Sequence, residues 1–205
     1  MAAAAGVPFV ETLTGFKWLG RAADPDRDLG FAYEEALGFC AGGLVRDKDG
    51  VTAALLLAEA AAVQKRDGRT LLDVLDDLAV EHGVHQTAQW SVRVPGTDAM
   101  DQMTAAMTRM RAVPPAELAG RTVTAVDDLI DGDPVRGFAP SDVLIWHVDG
   151  GRIVVRPSGT EPKLKAYVEV VEPVAAPADL AAARAKAVTE LEALVAAVAS
   201  ATGLA

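Results

Sequence analysis

Ile153-Val154-Val155-Arg156-Pro157-Ser158-Gly159-Thr160-Glu161-Pro162-Lys163-Leu164-Lys165-Ala166-Tyr167-Val168-Glu169-Val170 sets two runs of strand-forming residues on either side of a loop punctuated by proline and glycine. The second run alternates. Leu164, Ala166, Val168 and Val170 point one way and Lys165, Tyr167 and Glu169 the other, which makes one face core and the other wet. Upstream, Asp149-Gly150-Gly151 is a hairpin signal between strands predicted over 143–148 and 153–156, and 122–126 reads as a further strand. Downstream, Leu180, Ala183, Ala187, Leu191, Leu194, Val195 and Val198 recur at helical spacing and should lie across the sheet. With a helix over 99–111 capped by Asp98, this part reads as a small α+β domain, an antiparallel sheet with packed helices.

Working outward toward the N-terminus, residues 13–37 are dense in Gly, Asp and Arg and read as short elements joined by loops, where binding groups tend to sit. From Gly50, Ala54, Leu55, Ala58, Ala61 and Ala62 mark an apolar helical face that ends near Asp67-Gly68. Thr70 then caps a second amphipathic helix carrying Leu71, Leu72, Leu75, Leu78 and Ala79, closing at His82-Gly83. Each face needs a sheet, or the other helix, to cover it. A strand over 86–94, stopped by Pro95-Gly96, completes the expected organisation: an α/β segment over residues 1–95 and the α+β domain over 96–205.

The chain of 205 residues is 51% hydrophobic and 23% charged, which excludes disorder as the main state. Its net charge of −10 opposes wrapping a polyanion, so nucleic acid is not an expected partner, although a local basic cluster could still hold a small anion. Cys40 is the single cysteine, which excludes an intrachain disulfide and points to the cytoplasm. No apolar run reaches the roughly 18 residues needed to cross a bilayer, so no membrane association is expected. His82, His85 and His147 lack ligand partners at helical spacing, and no metal site is expected from them.

Arg156 to Lys163 concentrates anion-binding chemistry. Arg156 offers a fork of N–H donors, Ser158 and Thr160 offer hydroxyls, Gly159 lets a backbone N–H come close, and Lys163 adds a mobile charge. An ordinary surface turn of the same residues is the competing reading. Asp24-Pro25-Asp26-Arg27-Asp28 alternates carboxylates in a way that suits hard cations, yet Pro25 removes a backbone donor and a solvated acidic loop is the preferred reading.

The run from Arg156 to Lys163 resembles the phosphate-binding loop in the last domain of the phosphoglucomutase/phosphomannomutase (α-D-phosphohexomutase) family, most like the branch that also contains phosphopentomutases. Three upstream stretches agree in the family's order. Glu11-Thr12-Leu13-Thr14-Gly15-Phe16-Lys17-Trp18 resembles a third-domain segment, Tyr33-Glu34-Glu35-Ala36-Leu37-Gly38 the sugar-recognition loop, and Arg46-Asp47-Lys48-Asp49-Gly50 the turn opening the next helix. The resemblance implies a phosphoserine enzyme that moves a phosphoryl group between two hydroxyls of a hexose phosphate, of the glucose 1-phosphate or 6-phosphate type. On that pattern Arg156, Ser158, Gly159, Thr160 and Lys163 hold the spectator phosphate. Glu34, with Glu35 beside it, accepts sugar hydroxyls, Thr14, Gly15 and Lys17 contact substrate, and Lys48 assists proton transfer. A solvated charge is the competing reading of Lys48. Ala36 stands where some relatives carry a serine, which removes one sugar hydrogen bond.

The family's serine motif and its magnesium loop are both absent, and Asp131-Gly132-Asp133 reads as an ordinary loop. The expectation is therefore the C-terminal part of a phosphohexomutase, the end of the third domain and all of the fourth, with its partner the missing N-terminal domains. Mg2+ and a sugar bisphosphate primer are implied for the full-length enzyme and not for this segment, which should be inactive alone. A free-standing anion-binding or regulatory module is the alternative.

Overall fold

The computed structural model describes residues 1–22, 29–35, 37–159 and 161–204, which divide into two compact units, Met1–Leu75 and Asp76–Ala205. The first unit holds a short helix α1 (Phe16–Leu19), an antiparallel hairpin of β1 (Phe31–Glu34) and β2 (Gly38–Ala41), and the long helix α2 (Gly50–Arg66). Helix α3 (Leu71–His82) begins in it. Its core is small: Phe16, Ala32 and Cys40 are buried, with Leu19 and Leu29 packed against them. The Asp24–Asp28 stretch lies outside the described residues.

Asp49 starts α2 because its carboxylate accepts from the Val51 and Thr52 amides at 3.0 and 3.3 Å. The Thr52 hydroxyl donates to it as well, at 2.7 Å, and these bonds hold the Asp49 carboxyl below the usual carboxylate range. The cap is anchored in turn, since the Asp49 amide donates to the Phe39 carbonyl of β2 at 2.7 Å. Thr70 caps α3 as predicted: its hydroxyl accepts from the Asp73 amide, while the Asp73 carboxylate accepts from the Thr70 amide and hydroxyl.

One expectation fails in this unit. The apolar face of α2 is uncovered among the described residues, no residue of the helix is buried, and Leu55 is 69% exposed. Leu72 and Leu75 of α3 are exposed too. Helical spacing specifies an apolar stripe but not the element that covers it, and the local hairpin is too short to do so.

The second unit is a six-stranded antiparallel sheet in the order β3-β8-β7-β6-β5-β4, formed by β3 (Val84–Arg93), β4 (Glu117–Leu118), β5 (Arg121–Asp128), β6 (Leu144–Val148), β7 (Gly151–Pro157) and β8 (Lys163–Glu172). Helices α4 (Ala99–Ala112) and α5 (Leu180–Thr202) share one core with the inward residues Leu164, Ala166, Val168 and Val170. Met103, Met107, Trp146, Leu194 and Val198 complete that core at 1% exposure or less. Each such side chain contributes about 1.5–3 kcal/mol relative to its exposed state. The opposite face bears Lys163, Lys165, Tyr167 and Glu169, each half-buried.

Strand β3 pairs with β8 along its whole length, from Val84↔Glu172 to Arg93↔Lys163, and so belongs to the second sheet although it precedes residue 95. Asp98 occupies the N-cap of α4, but its side chain accepts from Gln102 Nε2 at 3.0 Å and bonds no helix amide. Among the described residues, no helix is long and apolar enough to cross a membrane.

Candidate functional site

In the first unit the structure brings Glu34, at the end of β1, and Lys48, just before the α2 cap, into an ion pair. The hairpin supplies one partner and the Asp49–Phe39 bond places the other. Glu34 is the more enclosed, its side chain 12% exposed against 46% for Lys48. Gly38 lies beneath the pair, and a Cβ there would stand 2.9 Å from Glu34 Cγ, Lys48 Cε and the Phe16 ring. A side chain at that position would have to push these three groups aside. Thr14 and Lys17 are exposed, and Gly15, at φ +125°, starts the turn into the buried Phe16, with the Lys17 ammonium 5.0 Å from the centre of the Trp18 ring. Glu35 is exposed in the β1–β2 turn, and Ala36 is outside the described residues. The Glu34–Lys48 pair joins residues from separate segments, so it could not be seen in local spacing.

In the second unit the loop between β7 and β8 is closed by the Ser158 amide, which donates to the Lys163 carbonyl at 2.8 Å. Gly159 is exposed at the tip, and a Cβ there would meet nothing within 4 Å. Thr160 lies outside the described residues. Lys163 is held rather than mobile: its ammonium bonds Glu161 at 3.0 Å, and Arg93 of β3 bonds the same carboxylate at 2.7 Å. The Lys163 ammonium is also the main cause that holds the Glu161 carboxyl below its ordinary range.

Among the described residues two cations at this end of the sheet make no ion pair of that kind, although Lys165 adds to the field that holds the Glu161 carboxyl down. Arg156 and Lys165 face each other across the β7–β8 ladder, and among the described residues no carboxylate lies within ion-pair distance of either. Arg156 instead donates through Nη2 to the Tyr167 hydroxyl at 2.9 Å. Like charges opposite one another on a sheet repel, so the pair favours an anion between them. Lys165, Tyr167 and Arg93 were not singled out by the loop motif. Alternation in β8 put Lys165 and Tyr167 on the wet face, but only the register with β7 reveals that they flank Arg156.

The acidic groups the second unit assembles are already engaged by cations. Asp127 accepts from His147 Nε2 at 3.0 Å and from Arg136 at 2.9 Å; burial pushes its carboxyl up, and these two partners outweigh that and hold it down. Asp133, of the Asp131-Gly132-Asp133 loop, is engaged by the Arg136 amide and guanidinium, and Asp128 and Asp142 share Arg111. Among the described residues these sets do not fit a magnesium ion, because each carboxylate is already taken by an arginine.

The fold and the loop together define a protein whose antiparallel sheet brings Arg156, Lys163 and Lys165 to one end, beside the β7–β8 loop. Residues 1–80 match the domain described as phosphoglucomutase/phosphomannomutase, alpha/beta/alpha domain III, and residues 92–187 match the phosphoglucomutase/phosphomannomutase C-terminal domain. A probable phosphomannomutase of Haemophilus influenzae is 40% identical over 161 residues, covering 78% of this chain and 31% of that protein. A phosphoglucomutase of Staphylococcus aureus is 34% identical over 176 residues, covering 80% and 32%. Among solved structures, the open form of the Paramecium phosphoprotein parafusin (phosphoglucomutase) superposes with a TM-score of 0.66 at 21% identity, covering 98% of this chain and 36% of that one. The chain belongs to the phosphoglucomutase/phosphomannomutase family and carries its third-domain and C-terminal-domain sequence. It spans about a third of the length of the relatives it matches.

Proposed function

We propose that this chain supplies sugar and phosphate recognition to a phosphohexomutase, an isomerase that moves a phosphoryl group within a hexose phosphate. The observation that carries the reading is the facing pair of cations Arg156 and Lys165, which among the described residues form no ion pair with a carboxylate, beside the β7–β8 loop of a chain whose net charge is −10. On this reading the Arg156 fork, the Ser158 and Thr160 hydroxyls, the Gly159 amide and Lys163 hold the phosphate that does not react. A turnaround between two phosphoryl positions needs such a fixed holder, which orients the ligand and takes no part in bond making.

Glu34 and Glu35 accept the sugar hydroxyls, and Thr14, Gly15 and Lys17 line the approach. Because Lys48 is paired with Glu34, a hydroxyl that donates to Glu34 comes within reach of the Lys48 ammonium, which can pass a proton there. The uncovered leucines of α2 fit a first unit that is completed by further chain of the same family, and they favour this reading over a free-standing anion-binding module. Cys40, buried as a free thiol, fits a cytoplasmic setting. The phosphoryl donor, Mg2+ and the bisphosphate primer belong with the serine-bearing domains, so the chain alone turns nothing over.

Titration of glucose 1-phosphate into the purified chain, followed by amide chemical shifts, tests the recognition step. Shifts should gather around Arg156–Lys165, and in Arg156→Ala they should need at least about ten times more ligand to saturate. Absence of binding, or binding that Arg156→Ala leaves unchanged, would overturn it.

A further inference from the structure

Tyr167 lies outside the loop, yet it is the group that fixes the loop's arginine. In the β7–β8 register Arg156 faces Lys165 and Val154 faces Tyr167, so Tyr167 stands diagonally from Arg156 on the same face of the sheet. The guanidinium carbon lies 5.4 Å from the centre of the Tyr167 ring, and Nη2 donates to the phenol oxygen at 2.9 Å. The Arg156 Nε is buried without a hydrogen-bond partner. Among the described residues Tyr167 thus provides the only side-chain hydrogen bond that Arg156 makes. It acts against a repulsive neighbour, because Lys165 sits directly opposite. Without the ring and the hydroxyl, a long, flexible guanidinium beside an ammonium would swing away toward water.

We propose that Tyr167 is a positioning residue for phosphate recognition: it orients the Arg156 fork next to Lys165, so that an arriving phosphate meets two cations already in place. The hydroxyl occupies Nη2, Nε is buried, and Nη1 is left for the ligand. The ring holds the plane by cation–π attraction. Tyr167 itself touches no substrate. The proposal rests on the phosphate reading of the loop and adds a residue to it.

The test titrates inorganic phosphate and glucose 1-phosphate into the full chain, its Tyr167→Phe and Tyr167→Leu variants, and Arg156→Ala alone and with Tyr167→Phe. Phenylalanine keeps the ring and loses the hydrogen bond, so affinity should fall about 5-fold. Leucine loses both, and the fall should reach about 20-fold. In the Arg156→Ala background Tyr167→Phe should change nothing further, since the effect travels through the arginine. The Arg156 Nε–H resonance supplies a readout that a merely structural role would leave alone: it should be sharp in the parent chain and broadened in Tyr167→Phe, with the urea midpoint of the sheet retained. Failure of the parent chain to bind either anion would overturn the loop reading and this proposal together. Binding that is equal in the parent, Phe and Leu chains would overturn the role of Tyr167 alone.

Discussion

Replacing Gly38 by alanine perturbs the Glu34–Lys48 pair at its base. The added Cβ would lie 2.9 Å from atoms of Glu34, Lys48 and Phe16, and the Phe16 ring is buried in the unit's small core. Overpacking of this kind costs about 1–3 kcal/mol. Gly38 is not among the glycines held at positive φ, so alanine suits the backbone and recovers about 0.4–1 kcal/mol by narrowing the unfolded ensemble. The net loss should be about 1–2 kcal/mol, or about 5- to 30-fold in the local folding equilibrium. Amide hydrogen exchange along Phe31–Ala41 reads this directly, because those residues form the β1–β2 ladder. Protection there should fall by that factor, while protection in β6, β7 and β8 stays constant. Unchanged protection in the hairpin, or an equal loss in both units, would refute the argument that close packing at Gly38 shapes the pair.

Gly159→Ala is the contrasting case: with open space around the Cβ, stability should stay within about 0.5 kcal/mol. Phosphate affinity should nonetheless drop about 5-fold if the Gly159 amide meets the ligand, as measured by the same titration. Leu37, at φ 57° and 83% exposed, holds a left-handed conformation with little burial in return. Leu37→Gly should stabilise the hairpin by about 0.5–1 kcal/mol, seen as slower exchange at Glu34 and Gly38. Asp127 and Asp133 are both held below the usual aspartate value of 3.8. Their contribution is therefore full above that value and is lost as pH falls through their lower folded values. The urea midpoint of the second unit should decline below about pH 4, and Arg136→Leu should flatten that decline.

The legible parts of the chain are those whose pattern is local. Alternation in β8 and the heptad-like stripe of α5 specify their buried faces residue by residue, because a pleat and a helix each have a fixed period. The Asp149-Gly150 turn is equally local. Partnership is less so. That β3 completes the second sheet depends on pairing with a strand some eighty residues later, and the two-residue β4 is too short to show a period. The same limit applies to the site. The loop chemistry of Arg156 and Ser158 stands in one run of sequence, whereas Lys165 and Tyr167 acquire meaning only through register, and Lys48 meets Glu34 only because Asp49 is tied to Phe39. Glu161 stands two residues from Lys163, but that Arg93 of a distant strand shares its carboxylate is visible only in the fold.

The central claim is that this chain provides substrate recognition to a phosphohexomutase whose phosphoryl chemistry resides in other domains. Mixing it with the serine-bearing half of a family member, with Mg2+ and a glucose bisphosphate present, and following conversion of glucose 1-phosphate to glucose 6-phosphate tests that claim most directly. Turnover should appear only in the mixture and vanish with Arg156→Ala. A folded mixture with no turnover, or turnover by this chain alone, would contradict the account.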